Sequence, residues 1–253
     1  MLSYLTAAEF DSTKCLRGGG DRIIALLRAA LPQTCTLCMA SSGDALLCAG
    51  CEREMPRVID ACSVCASPSP AGYTCGACLA TPPPFAATIA AWRYAFPADR
   101  LLHALKYGGR LALADPCADA LAEAIASRNA PLPDRICALP LSAPRQRVRG
   151  FNHAQEIARH VASRVGIPLC RDLRRVRDSP PQAGLALAAR LRNVRGAFEA
   201  APALAGLAVA IVDDVMTTGA TLAAAAAAAR SAGARRVDAW VVARTPPPVR
   251  RSR

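Results

Sequence analysis

The chain has 253 residues, 53% of them apolar, enough for one medium domain plus a small accessory module. No apolar run approaches the ~18 residues that span a bilayer, and the start MLSYLTAAEFDSTK lacks the basic and continuously apolar segments of a secretory leader, so a cytoplasmic protein without membrane insertion is expected. The net charge of +12 is uneven: residues 1–84 carry 6 Lys and Arg against 7 Asp and Glu, residues 85–253 carry 25 against 12, and residues 144–195 hold 12 arginines against 3 acids, a bias that suits phosphate-rich ligands or nucleic acid as well as a solvated basic face.

In chain order, DRIIALLRAAL (21–31) predicts a short helix with an aspartate cap, within an N-terminal segment, residues 1–33. A cysteine module follows over residues 34–79. Of twelve cysteines, eight form four C-x-x-C pairs: Cys35/Cys38, Cys48/Cys51, Cys62/Cys65 and Cys75/Cys78. Each position of the first two pairs recurs 27 residues later, so the module is duplicated and each half reads C-x2-C-x9-C-x2-C. A C-x-x-C turn presents two thiolates from one knuckle, and two knuckles complete the tetrahedral sulfur shell that zinc (Zn2+) prefers. The duplication predicts two closed, structural sites with sequential ligands. A cross-braced arrangement stays open, and spacing alone does not exclude iron–sulfur clusters. Redox-active dithiols suit four evenly repeated pairs less well. Cys15, Cys117, Cys137 and Cys170 are scattered and read as small buried apolar residues.

ATPPPF opens a proline-rich linker, residues 80–86, because its prolines deny regular pairing. Beyond it, residues 87–245 alternate strand-like and helix-like segments: strand 87–95, helix 97–108, helix 115–127 with Pro116 in its first turn, strand 135–141, helix 152–166 with Asn152 and Gln155 at capping-box spacing, a candidate strand over 171–176, strand 208–214, an alanine-rich helix 220–233 and strand 235–245. This alternation predicts an α/β fold, a mostly parallel sheet flanked by helices. His103, His153 and His160 fall in helical segments without ligand spacing to one another and read as helix-face residues. The tail, residues 246–253, is predicted to be a disordered basic extension.

The chemistry concentrates in VAIVDDVMTTGATL (209–222). Asp213 and Asp214 leave an apolar strand together, at the strand end where α/β sheets bind ligands. Adjacent ionised carboxylates accept from neighbouring hydroxyls, such as the 2′ and 3′ positions of a ribose, or bind magnesium (Mg2+). The next residues open a helix, whose free N–H groups and dipole favour an anion. Gly219 permits close approach, and Thr217, Thr218 and Thr221 add hydroxyl donors. The loop has no Walker lysine and no G-x-G-x-x-G fingerprint. A ribose clamp followed by a phosphate cradle describes a 5-phosphoribosyl group.

IVDDVMTTGATL resembles the phosphoribosyl pyrophosphate (PRPP) motif of type I phosphoribosyltransferases. With the cysteine module in front, residues 35–245 resemble the ComF family, bacterial proteins that join a double zinc ribbon to a phosphoribosyltransferase-like domain. LKYGGR (105–110) and RVRGFNHAQEIA (147–158) match family blocks, as do Arg177, Gln182, Arg190, Asn193 and Phe198, with Ser179 where threonine is usual. The resemblance implies that Asp213 and Asp214 hold ribose and magnesium, and that Thr217, Thr218, Gly219, Ala220 and Thr221 hold the 5-phosphate. It implies a pyrophosphate-binding loop over 139–150 with Arg145, Arg147 and Arg149, helped by Lys106, and a mobile lid over 177–190 that includes Arg177, Ser179 and Gln182. No residue stands out as a catalytic base, and no acceptor pocket is defined. The family's link to natural transformation implies single-stranded DNA and the DNA-uptake machinery as partners. The alternative is phosphoribosyl transfer to an unknown base or amine. Trp92, Tyr94, Tyr107 and Phe151 are the nearest candidates for stacking on bases, and packing is the ordinary role of each.

Overall fold

Long apolar, β-branched runs such as AVAIVDDVM and RVDAWVVAR have no polar face to offer water, and they become the buried middle of a parallel sheet. The computed structural model describes residues 33–177 and 196–246. The expected helix 21–31, the family positions Ser179, Gln182, Arg190 and Asn193, and the tail from residue 247 lie outside the described residues. The chain divides into two compact units, Met1–Glu52 and Arg53–Arg253. In the first, Gln33–Thr34 and Ser41–Gly43 pair antiparallel around the knuckle that carries Cys35 and Cys38.

The second unit holds the sheet. Its strands are β1 (Ala87–Arg93), β2 (Arg135–Ala138), β3 (Leu169–Cys170), β4 (Leu173–Arg175), β5 (Phe198–Ala200), β6 (Ala208–Met216) and β7 (Arg236–Arg244). The helices are α1 (Ala98–Tyr107), α2 (Ala114–Ser127), α3 (Ala143–Arg149), α4 (His153–Val165) and α5 (Ala220–Ser231). Five strands form one parallel sheet in the order β1-β7-β6-β2-β3, which puts β6 at its centre. The 171–176 segment supplies β4, which pairs antiparallel with β5 apart from that sheet. The alanines of α5 pack directly on the core, with Ala225, Ala226 and Ala229 buried, so small side chains rather than an apolar stripe let this helix approach the sheet. Among the described residues no helix is long and apolar enough to cross a membrane.

Two features of the fold matter for the site. The loop expected over 139–150 winds into α3: Ser142 is extended at its N-cap, Pro144 occupies the first turn with a preset φ, and Gly150 closes it in the left-handed region at φ 74°. The second half of the cysteine module lies in the same unit as the sheet. The segment leading into it meets the free edge of β1, with Val58 N–H donating to Ala91 O (3.1 Å) and Arg93 N–H to Pro56 O (2.6 Å). Thr88 Oγ1 donates to Val64 O at 2.7 Å, and Arg128 Nη2 donates to Ser63 O at 3.0 Å. An exposed strand edge is thereby covered.

Candidate functional site

The eight paired cysteines gather into two groups, Cys35/Cys38/Cys48/Cys51 and Cys62/Cys65/Cys75/Cys78, with the sulfurs of each group within 4.8 Å of one another. Ligation is therefore sequential, as the duplication predicts, and the cross-braced arrangement does not form. The Cys38–Cys48 and Cys65–Cys75 sulfurs are each 3.7 Å apart. Four ~2.3 Å zinc–sulfur bonds in a tetrahedron require sulfur–sulfur edges of about 3.8 Å, whereas a disulfide requires ~2.05 Å. The donor set and its spacing fit zinc. Burial raises the Cys35 and Cys62 thiols, but backbone N–H groups of the knuckles outweigh it and bring each down to about 6, which favours the thiolate a metal needs.

The acidic pair stands at the C-terminal end of β6. Asp214 is 3% exposed, and its Oδ2 lies 2.9 Å from Lys106 Nζ and 2.7 Å from His153 Nε2 as the shared anion of two ion pairs. Lys106 comes from the last turn of α1 and His153 from the first residue of α4. Asn152 sets the latter: its Oδ1 accepts from Ala154 N–H at 3.1 Å as helix cap, and its Nδ2 donates to Leu139 O at the end of β2. Arg149 Nη1 lies 3.5 Å from His153 Nδ1. A guanidinium can only donate, so this contact favours the tautomer that carries its proton on Nε2, facing Asp214. The same guanidinium stacks 5.3 Å from the ring centre of Tyr107.

Environment splits the two carboxyls. Burial pushes Asp213 up, the Asp214 charge adds to it, and the result is about 7. Burial also penalises ionised Asp214, but Lys106 and His153 overcome that and hold its carboxyl well below the usual carboxylate range. Burial lowers Lys106, and the Asp214 charge reverses this and raises it. Asp214 is thus a locked anion and Asp213 the adaptable one. His153, Asp213 and Asp214 lie close enough to share a metal ion. Asp213 is half-buried and accepts from Asp214 N–H through Oδ1 at 2.9 Å; it is the more exposed of the two carboxylates, which suits magnesium's habit of binding one or two.

Beyond the acids, Thr217 is exposed, Thr218, Gly219 and Thr221 are half-buried and Ala220 is buried. Gly219 caps α5 at φ 79°, and Thr218 Oγ1 accepts from Ala220 N–H at 3.4 Å.

Residues 26–79 match the family model of the double zinc ribbon domain, and residues 149–252 match that of the phosphoribosyl transferase domain. The DNA utilization protein YhgH of Salmonella typhi is 34% identical over 207 residues, spanning 79% of this chain and 90% of that protein. This chain belongs to the ComF family. Competence protein F of Haemophilus influenzae is 28% identical over 207 residues, spanning 78% of this chain and 90% of the relative. Among solved structures, a glutamine PRPP amidotransferase from B. subtilis aligns with 51% of this chain and 26% of its own at 22% identity and a TM-score of 0.36.

In this ComF-family chain, the residues expected at the site separate into three groups. Asp213 and Asp214 near the end of β6, Thr217, Thr218 and Gly219 on the turn, and Ala220 and Thr221 at the start of α5 form one continuous segment, with Lys106 against Asp214. Arg145, Arg147 and Arg149 lie on α3, Arg147 exposed and the other two half-buried, four residues apart on one helix face. Arg177 is exposed just beyond β4. Sequence reasoning missed His153, read there as a helix-face residue. The available signal was its position one residue after the Asn152 cap, inside the matched RVRGFNHAQEIA block. It also missed Arg244, read only as the end of a strand.

Proposed function

We propose that this ComF-family protein binds PRPP, or a related 5-phosphoribosyl ligand, together with magnesium at the β6–α5 turn, and that it serves in handling DNA. The observation that carries this reading is the pairing of one locked and one adaptable aspartate directly before a glycine-capped helix N-terminus. Asp213 accepts from the ribose hydroxyls or holds magnesium. Asp214, fixed by Lys106 and His153, keeps the strand end rigid. The N–H groups and hydroxyls of Thr217 to Thr221 receive the 5-phosphate. Arg145, Arg147 and Arg149 are the cations for pyrophosphate oxygens. Magnesium, when bound, neutralises charge on the pyrophosphate.

Calorimetry with PRPP and magnesium tests the site. Wild type binds, and Asp213→Ala and Asp214→Ala each abolish binding while zinc content and circular dichroism stay native. Unchanged binding in the double variant refutes the reading. The DNA part draws on the names of the relatives and on the arginine-rich 144–195 stretch. It requires binding to single strands that weakens steeply as salt rises, and no binding at low salt removes it. The match to the phosphoribosyl transferase domain favours a second reading, transfer to an unknown base or amine. Pyrophosphate release over a panel of nucleobases separates the two.

A further inference from the structure

The last residues of the two longest strands are neighbours: Met216 of β6 is in register with Arg244 of β7. Arg244 is only 6% exposed, and an arginine so buried requires acceptors for its fork of donors. It finds them in two segments far apart in sequence. Toward the second four-cysteine group, Nε donates to Cys65 O at 2.8 Å and Nη2 to Ser67 Oγ at 2.9 Å. Toward the phosphate loop, Nη1 donates to Met216 O at 3.0 Å and to Thr217 O. Nη1 also donates to the neighbouring Thr245 O at 2.5 Å. One planar group therefore ties a metal-ligand knuckle to the first peptides of the TTGAT loop.

The geometry has a consequence at the loop. A peptide unit is rigid and trans, so fixing a carbonyl fixes the N–H on its opposite edge. Met216 O also accepts from Thr245 N–H at 3.0 Å, so Thr217 O is the carbonyl that Arg244 fixes without backbone help; with both carbonyls turned this way, the N–H groups of Thr217 and Thr218 point the other way. The knuckle has charge to offer as well: zinc held there by four thiolates would carry net negative charge, which the buried guanidinium beside Cys65 would balance.

We propose that Arg244 is a positioning residue through which zinc in the Cys62/Cys65/Cys75/Cys78 site holds the Met216–Gly219 loop in its anion-binding form. Losing that metal releases Cys65 O and Ser67 Oγ, then the guanidinium, then the loop. The ligand-binding arm of this proposal rests on the PRPP reading above; the loop arm does not.

Hydrogen exchange by mass spectrometry, on the full chain with zinc content measured in parallel, tests both. Cys75→Ser/Cys78→Ser disables the second site, and Cys48→Ser/Cys51→Ser disables the first as a control. Peptides covering 216–221 exchange ~10-fold or more faster in the second-site variant and at the wild-type rate in the control. Arg244→Met, which leaves both cysteine sites intact, reproduces the faster exchange with two zincs bound and weakens PRPP binding by ~10-fold, about 1.4 kcal/mol. Arg244→Lys restores part of each. Wild-type exchange at 216–221 in Arg244→Met overturns the proposal, whether or not the cysteine variants fold, as does equal loosening by loss of either metal. If wild type binds no PRPP yet the exchange pattern holds, the functional reading fails and the coupling stands.

Discussion

Replacing Lys106 with methionine keeps the length of the side chain and removes its charge, which leaves Asp214 with His153 as its remaining donor. The Nζ–Oδ2 separation is 2.9 Å and the two side chains are 19% and 4% exposed. At an effective dielectric of ~20 the attraction is about 6 kcal/mol, and desolvation of the two ions offsets roughly half of it, so a net loss of ~3 kcal/mol is expected. For a unit of about 200 residues, each kcal/mol corresponds to ~2–4 °C, so the melting temperature should fall by ~6–12 °C, measured by circular dichroism at pH 8 with zinc held constant. Asp214→Asn in the same chain removes the stranded charge, and the double variant should recover ~2 kcal/mol of the loss. The pH dependence provides a further check. In wild type the folded Asp214 carboxyl lies below its usual 3.8, so its contribution is present above that value and disappears as pH falls through the folded value. In Lys106→Met the buried carboxylate is a liability that protonation removes, so the gap to wild type should close as pH falls toward ~4. A melting temperature within 2 °C of wild type at pH 8, or a loss that Asp214→Asn does not relieve, would refute the reasoning.

Asp213 runs in the opposite sense. Its folded carboxyl is raised from 3.8 to about 7 by burial first and by the Asp214 charge second, so the stability it contributes is full below ~4 and lost as pH rises through ~7. Binding of magnesium and PRPP at pH 6.5 should release a proton, seen as a dependence of the calorimetric heat on the buffer's ionisation enthalpy, and equal release in Asp213→Asn contradicts the assignment. At Gly219, a Cβ would come within 2.5 Å of Met216 Cε. That methyl can swing aside, so the cost of Gly219→Ala is mainly the φ of 79° and amounts to ~1 kcal/mol. Gly219→Asn should cost less and Gly219→Val more by thermal melting, and the reverse order would mean that packing, not backbone conformation, selects glycine.

What the chain disclosed in advance was chemistry confined to short stretches. Strand β6, which carries Asp213 and Asp214 near its end, and the loop that follows are one continuous segment, so the residues around the turn also make the site. The same is true of each cysteine half: the repeat at 27 residues is enough to keep ligands sequential, because each half brings its own two knuckles. The arginine-rich α3 was harder to read, since APRQRVR offers no apolar face and its helix is set by Ser142, Pro144 and Gly150. What could not be read locally was which distant cation meets which anion. Lys106 and His153 converge on Asp214 from two helices, and nothing within either helix separates those side chains from surface ones.

The duplicated cysteine module carries this furthest. Spacing treats its halves as equals, but only the second lies in the same unit as the sheet. There Val64 and Ser63 present carbonyls to Thr88 and Arg128, and Cys65 presents one to Arg244. These bonds use backbone oxygens of the knuckle rather than side chains, which is why a repeat of cysteines cannot foretell them. A knuckle that holds metal with its sulfurs and a strand-end arginine with its carbonyl has two roles in one turn. Arg244 has little reason to be buried at the end of β7 unless its far side, at Met216 and Thr217, also needs to be held.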